Sequence, residues 1–174
     1  MLDLVRQRRS VRVYKPQEVE DEKLELLAEA LLRAPTSRNF QPCHFVMIQK
    51  RQLLDKLINA KPHGTAFFAT APLAIAIAAD PCVSDVWIED AAVAATFVQL
   101  AAESLGLKSC WAQLRLRRHN DDISASEYVR DLLELPAGME VPIAIAVGYP
   151  GEQKAGHCAN SLRTEKIHHE GFNS

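Results

Sequence analysis

The sequence predicts one globular domain in which α-helices and β-strands are mixed along the chain. Its 174 residues fall within the usual size of a single domain and can bury a core without disulfides or a structural metal. Apolar runs of strand length at residues 44–49, 72–79, 108–114 and 141–149 are separated by segments with helical periodicity. This alternation predicts a sheet whose strands are interleaved with helices.

The first third of the chain begins with two helices. Residues 2–9 form a short helix opened by an aspartate, and residues 21–33 form a second, whose leucines recur at helical spacing until Pro35 ends it. The first strand, residues 44–49, comes next, and a short helix over residues 51–59 follows it.

The middle of the chain is its most apolar part. Residues 72–79 predict a strand buried on both faces, and residues 86–105 predict the longest helix, closed by Gly106. The polar residues of this helix form a narrow stripe, so it must be buried on most sides, in the core or against another subunit. The stripe consists of Glu89, Thr96, Gln99 and Glu103. A membrane span is excluded, because the apolar run that a bilayer would require is interrupted by Glu89, Asp90, Gln99 and Glu103.

The last third contains a strand, a helix and a final strand. Residues 108–114 predict the third strand, residues 126–135 a helix capped by Ser126, and residues 141–149 a strongly apolar fourth strand. The tail over residues 152–174 has too few apolar residues for a core of its own. We expect it to form an arm that packs on a partner subunit, within one domain that covers residues 1–174.

Composition narrows the possible partners and the compartment. The formal net charge of −2 gives no reason to expect nucleic acid or an anionic membrane as a partner. Four separated cysteines without a CxxC pair suit reduced thiols, which predicts a cytoplasmic protein.

The six histidines include neither HxxxH nor HExxH, so we expect no metal site. GxGxxG, GxxxxGK[ST] and GxSxG motifs are all absent, which argues against Rossmann, P-loop and nucleophile-elbow chemistry.

Two polar segments are candidates for ligand binding. Residues 8–12 place guanidinium groups beside a hydroxyl, as a phosphate site requires, although a solvated helix end has the same composition. Residues 34–44 form a loop dense in hydroxyl and amide groups that can pair with a heterocycle, although an ordinary turn is also rich in Pro, Ser and Asn. Taken singly, neither segment decides a function.

Together with two later motifs, these segments resemble the nitroreductase family. The family pattern is an N-terminal Arg-x-Ser, then Ala-Pro-(Ser/Thr)-x-x-Asn-x-Gln-Pro-x-His, then Gly-Leu-x-Ser-Cys-Trp, then Ala-x-Gly-x-Pro at a strand end. All four stand here in that order, at residues 8–12, 34–44, 106–111 and 146–150. The resemblance covers nearly the whole chain.

The resemblance implies an α+β fold with a mixed, mainly antiparallel sheet flanked by helices, in an intertwined homodimer that binds FMN between its subunits. It implies an FMN-dependent NAD(P)H oxidoreductase that takes hydride from NADH or NADPH through flavin N5. The acceptor would be a nitroaromatic, a quinone or a similar electron-poor small molecule. An FMN-binding carrier or sensor with little NAD(P)H turnover is the alternative.

The resemblance also assigns residues to the cofactor. The phosphate would be bound by Arg8, Ser10 and Arg12 with Arg9 beside them, the ring would be flanked by Pro35, Thr36, Ser37 and Asn39 of the partner chain, and the ring edge would be lined by Ala112, Gln113 and Leu114. The backbone N–H of Gln113 would lie near N5, and His63 would face the pyrimidine end of the flavin. No side chain of the protein is expected to act as an acid, base or nucleophile.

Two features depart from the family pattern. The family commonly has Gly or Glu where Gln113 stands, and often a paired Lys/Arg near the C-terminus that also binds phosphate. Lys154, Arg163 and Lys166 are candidates for that phosphate contact, with Arg163 included in the predicted site. The chain also lacks the long insertion that covers the flavin in larger relatives, so we expect an open acceptor side.

Overall fold

The computed structural model describes residues 1–172 and contains five α-helices and four strands in that part of the chain. The helices are α1 (Leu2–Gln7), α2 (Asp21–Leu32), α3 (Arg51–Ile58), α4 (Trp87–Ser104) and α5 (Ala125–Leu132). The strands are β1 (Cys43–Ile48), β2 (Leu73–Ala79), β3 (Lys108–Gln113) and β4 (Glu140–Gly148). All nine elements were predicted, with bounds that differ by three residues at most.

The four strands form one antiparallel sheet in the order β1-β2-β4-β3. A parallel contact is added at the outer edge of β3, where Ser10 forms a bridge with Ser109. The α+β class with a mainly antiparallel sheet and flanking helices is therefore confirmed. Because β1 and β3 are the two edge strands, the segment before β1 and the segment that pairs with β3 lie at opposite edges of the sheet.

The alternation of side chains along β2 explains the layers of the fold. Leu73, Ile75 and Ile77 point towards α2 and α4, whereas Ala74 and Ala76 point towards α3 and α5. The large side chains of β2 fill the layer of α2 and α4, and its alanines leave room for bulky side chains in the layer of α3 and α5. All seven residues of β2 are buried. The predicted strand with two buried faces is confirmed.

Helix α4 packs along one face of the sheet, and Gly106 ends it with a φ of +74° that favours glycine. Its polar stripe differs from the prediction, because Gln99 and Glu103 are buried within the protomer. Gln99 donates to the Ser109 hydroxyl at 3.2 Å, and Glu103 pairs with Lys108. These contacts hold α4 to the start of β3.

The start of α5 also differs from the prediction, since Ser124 rather than Ser126 is its N-cap. The Ser124 hydroxyl accepts from the Glu127 N–H, and the Glu127 carboxylate accepts from the Ser124 N–H, which completes a capping box. The Ser126 hydroxyl is buried, donates to Glu140 at 2.6 Å and accepts from the Val141 N–H at 2.8 Å. The S-x-x-E spacing of Ser124 and Glu127 is a local signal for the cap that Ser126, followed three residues later by Val129, does not have.

The C-terminal arm leaves the body after β4. Beyond residue 154 its residues are almost all exposed, and it contains two short 3₁₀ turns, Ala159–Ser161 and Thr164–Lys166. The last two residues of the predicted arm, 173 and 174, lie outside the described part of the chain. Within residues 1–172 no helix combines the length and the hydropathy that crossing a membrane requires.

Candidate functional site

The basic segment of residues 8–12 lies along the outer edge of β3. The Val11 N–H donates to the Ser109 carbonyl at 3.1 Å, next to the bridge between Ser10 and Ser109. Behind it, the buried Tyr14 hydroxyl donates to the Val11 carbonyl at 2.6 Å. Backbone pairing on one side and a buried phenol on the other therefore hold this segment in one conformation.

The beginning of the C-terminal arm completes this cationic cluster. Lys154 Nζ donates to the Ser10 carbonyl at 3.1 Å and pairs with the Glu152 carboxylate at 3.0 Å. The same carboxylate accepts the Arg12 N–H at 2.5 Å, and the Arg9 guanidinium donates to the Ala155 carbonyl. The Arg12 N–H and then Lys154 hold the pKa of Glu152 below its ordinary value.

Of the three C-terminal basic residues considered from the sequence, Lys154 is the one that contacts the 8–12 segment. Arg163 and Lys166 stand farther along the arm and are both exposed. The role assigned to Arg163 stays a prediction, and Lys154 becomes the stronger candidate for the same task. We define the phosphate cradle, named for the contact that the resemblance predicts, as Arg8, Ser10, Arg12 and Lys154.

The open edge of β3 continues from the phosphate cradle to Gln113. The Ser109 carbonyl points away from β4, because it accepts from Val11, and the Gln113 carbonyl does so too, because it accepts from Lys61 Nζ at 2.9 Å. In an antiparallel strand the N–H and C=O of one residue point to the same side. The Gln113 N–H is therefore directed to the open edge, where a ligand can reach it.

The side chains around Gln113 are held in place. Its amide accepts from Trp111 Nε1 at 3.1 Å and donates to the Arg115 carbonyl at 3.2 Å. Ala112 and Leu114 are fully buried in the layer of α3 and α5. A contribution from Ala112 or Leu114 to a ligand at this edge would therefore come from the main chain.

The second polar segment, residues 34–44, lies before β1 at the opposite edge of the sheet. The Ser37 N–H donates to the buried Asp90 carboxylate at 2.9 Å, and the Ser84 hydroxyl donates to the same carboxylate at 3.1 Å. Arg38 and Asn39 have φ values of 50° and 58°, so the backbone turns sharply here. Three strand spacings, about 14 Å, separate the two edges. The structure thus does not bring Pro35, Thr36, Ser37 and Asn39 to the phosphate cradle of their own chain.

His63 lies on an exposed loop next to Lys61 and not on the sheet. It lines a cleft of about 360 Å³ together with Lys61 and His119. The loop that carries His63 contacts β3 through Lys61 and not through His63. Among residues 1–172 no group of three or more His, Cys, Asp or Glu side chains is arranged to bind a metal ion.

Comparison with known proteins identifies the family. The nitroreductase family model matches residues 5–65 and 59–149 of the chain. A curated relative from Archaeoglobus fulgidus, provisionally named NADH dehydrogenase/NAD(P)H nitroreductase, is 32% identical over 97% of this chain and 97% of its own length. The chain belongs to the nitroreductase family.

Two solved structures support the same assignment. An FMN-dependent nitroreductase from Clostridium difficile is 40% identical to this chain. The match covers 99% of this chain and 100% of that protein, with a TM-score of 0.97. A protein from Clostridium acetobutylicum, provisionally named NADH oxidase, is 31% identical with a TM-score of 0.86, over 98% of this chain and 100% of its own. The predicted family is confirmed, and the chain is an oxidoreductase of this family.

Sequence reasoning missed two residues of this family member that the structure places beside the candidate site residues. Lys61 contacts the strand through a loop without a recognisable motif, and Glu152 orders the phosphate cradle from a polar tail. Each of them contacts residues more than 50 positions away in the chain. Their spacing to those residues therefore carried no local signal.

Proposed function

We propose that this nitroreductase binds FMN along the open edge of β3 and oxidises NADH or NADPH. The observation that carries the proposal is the arrangement on one strand edge, with the phosphate cradle beside Ser109 and the outward N–H of Gln113 beyond it. Four residues of strand span about 13 Å. This length is comparable with an extended ribityl phosphate chain and the near part of the ring it carries.

The donor set suits a phosphate. Arg8 and Arg12 provide guanidinium groups, Ser10 a hydroxyl and Lys154 an ammonium group already held at the Ser10 carbonyl. The flavin, when bound, supplies an N5 atom that accepts hydride from the reduced nicotinamide and gives it up to the acceptor. The Gln113 N–H would donate a hydrogen bond at that atom, while the locked Gln113 side chain would hold the strand rigid.

The proposal includes a homodimer in which residues 35–39 of each chain flank the ring bound by the other chain. One protomer leaves Phe97 of α4 39% exposed, and its arm exposes Leu162, Ile167 and Phe172 by 58%, 68% and 85%. Apolar groups of this size on a long helix and an extended arm favour burial against a second copy. The arm would then continue the single domain onto the partner surface.

We further propose that the acceptor is a nitroaromatic, a quinone or a similar electron-poor small molecule, reduced after the nicotinamide product leaves. The proposal includes neither nucleic acid nor a membrane as a partner. It places the protein in the cytoplasm. Its four cysteines, which all lie within residues 1–172, are free thiols, as a reducing compartment allows.

The absorption spectrum of the purified protein and its steady-state oxidation of NADH and NADPH test the proposal together. We expect a yellow protein with a flavin spectrum, and nicotinamide oxidation that depends on an added nitroaromatic or quinone. A protein that retains FMN but shows no such turnover would be the carrier or sensor. A protein that binds no FMN when it is supplied would contradict the proposal.

A further inference from the structure

We propose that Lys61 is a further contact for the cofactor, and that its ammonium group stabilises the negative charge which the flavin gains when it is reduced. Hydride carries one proton and two electrons. The nicotinamide therefore becomes a cation as its C–H bond breaks, and the flavin gains an N5–H bond and one negative charge. Lys61 gives up no proton in this step. The inference rests on the proposed function, because it assumes that the flavin ring lies along the open edge of β3.

The first argument is that Lys61 lacks a counter-charge in the described part of its own chain. Four lysines are partly buried, and three of them pair with a carboxylate within 4 Å, namely Lys23, Lys108 and Lys154. Among residues 1–172 the fourth, Lys61, has no such partner. Burial lowers the pKa of Lys61, because an ammonium group is costly to remove from water without an opposite charge. A partly buried charge without a counter-charge, beside a candidate site, points to a charge supplied by the ligand.

The second argument is that the chain fixes this ammonium group at the strand. Lys61 Nζ donates to the Gln113 carbonyl at 2.9 Å and retains two N–H donors for a ligand. The backbone of Lys61 is anchored by Thr65, a buried residue whose hydroxyl lies 2.8 Å from the Ile58 carbonyl and 3.3 Å from the Lys61 carbonyl. The ammonium group is therefore a fixed charge at the edge of β3 and not a side chain free in solvent.

The third argument is the position of this charge relative to the proposed flavin. The N–H and the C=O of Gln113 point to the same side of β3, and Lys61 is bound to that C=O. An atom that accepts from the Gln113 N–H therefore lies about 5 Å from Lys61 Nζ. In the proposed complex this atom is N5. A positive charge at this distance favours the reduced flavin over the oxidised flavin, because only the reduced form carries the added negative charge.

The direction of approach assigns Lys61 to the flavin and not to the acceptor. Lys61 Nζ and the Gln113 N–H both reach the ring from the strand edge. A hydrogen bond to N5 lies in the ring plane, so a second donor beside it meets the rim of the ring, where N5 and the neighbouring carbonyl oxygen lie. Hydride is transferred perpendicular to that plane, which places the nicotinamide and the acceptor on the face of the ring.

The main experiment compares the affinities of wild type, K61Q and K61R for reduced and oxidised FMN. Flavin fluorescence measures the affinity for the oxidised form, and the reduction potential of the bound flavin, determined anaerobically against a reference dye, gives the ratio of the two affinities. We expect K61Q to lower this ratio, reduced over oxidised, by about tenfold or more, which for a two-electron couple lowers the potential by about 30 mV. K61R keeps the positive charge and should restore most of the ratio.

Lys154→Gln is the matched control, because Lys154 is also a partly buried lysine of the candidate site but lies at the phosphate end. The phosphate is the same in both forms of FMN, so this variant should weaken both affinities and leave their ratio nearly unchanged. If K61Q also weakened both affinities equally, Lys61 would only support β3 and the inference would be overturned. An unchanged ratio with slower oxidation of the flavin by the acceptor would overturn it too, since Lys61 would then face the acceptor.

The same measurement separates this inference from the proposed function. The potential is determined without NADH or NADPH, so it can support the role of Lys61 even in a carrier or sensor. A protein that oxidises NADH or NADPH through bound FMN, with equal potentials in wild type and K61Q, would overturn the inference alone. A protein that binds no FMN would contradict both.

Discussion

The 8–12 segment and the 35–39 loop are both predicted to contact FMN, yet the protein holds them in different ways. The first is paired with β3 and supported by Tyr14, Lys154 and Glu152, all from its own chain. The second lies at the far edge of the sheet, where Asp90 binds its backbone. One chain thus completes the phosphate end of the site and presents the loop elsewhere. This difference supports our proposal that the loop serves the other subunit.

The largest expected effect comes from breaking the phosphate end. Arg8→Ala should weaken FMN binding by about 1.5–3 kcal/mol, because a charge-assisted contact with the phosphate is lost. Equilibrium titration of flavin fluorescence measures the change. Arg6→Ala is the matched control, since Arg6 is paired with Asp3 on the exposed side of α1. Equal affinities in the two variants would show that the arginines are only a solvated helix end.

A mixed dimer tests whether the two regions serve the same flavin from different chains. Asn39→Ala should weaken FMN binding by about 0.5–1.5 kcal/mol in its own homodimer. When one Arg8→Ala chain is paired with one Asn39→Ala chain, a shared site predicts one intact site and one doubly damaged site. The titration should then be biphasic, with half of the sites at wild-type affinity. Two singly damaged sites, each with the affinity of its parent homodimer and neither at wild-type affinity, would mean that each flavin is bound by a single chain.

A smaller effect is expected behind the phosphate end. Tyr14→Phe removes the hydrogen bond to the Val11 carbonyl and should cost about 0.5–1.5 kcal/mol of folding free energy. Because Val11 lies inside the 8–12 segment, FMN affinity should fall while riboflavin affinity, which lacks the phosphate contribution, stays nearly constant. Urea denaturation and the two flavin titrations measure these changes. An equal loss for both flavins would contradict a specific effect on the phosphate end.

The cysteines should matter least, since hydride transfer needs no thiolate. Burial raises the pKa of Cys43 to about 11, and burial also raises the pKa of Cys110, so both thiols are protonated at neutral pH. Cys43→Ser and Cys158→Ser should leave NAD(P)H turnover nearly intact, and Cys110→Ser should act through packing. Steady-state rates on flavin-loaded protein measure this. Loss of turnover in a variant that keeps FMN would place a thiol in the chemistry.

Local sequence patterns predicted those features of the fold that depend on residues within a single element. The apolar run of β2 and the periodicity and terminal Gly106 of α4 each depend on residues within one element, and the structure confirms them. The cap of α5 also has a local signal that the prediction missed, the S-x-x-E spacing of Ser124 and Glu127, whereas the contacts of Ser126 with Glu140 and Val141 depend on the tertiary structure. Likewise, the burial of Gln99 required Ser109 as its partner.

The sequence by itself determined the family, the order of the elements and the motifs that carry the candidate site, since these are properties of residue identity and short spacing. Only the tertiary structure decided which residues meet. It brought Lys154 and Glu152 to the 8–12 segment and Lys61 to the Gln113 carbonyl, and it directed the Gln113 N–H to an open edge. It also separated the 35–39 loop from the phosphate cradle by the width of the sheet. The physical reason is strand order. Neighbouring strands of a sheet pair residues that are far apart in the sequence, and local spacing does not encode which strands become neighbours.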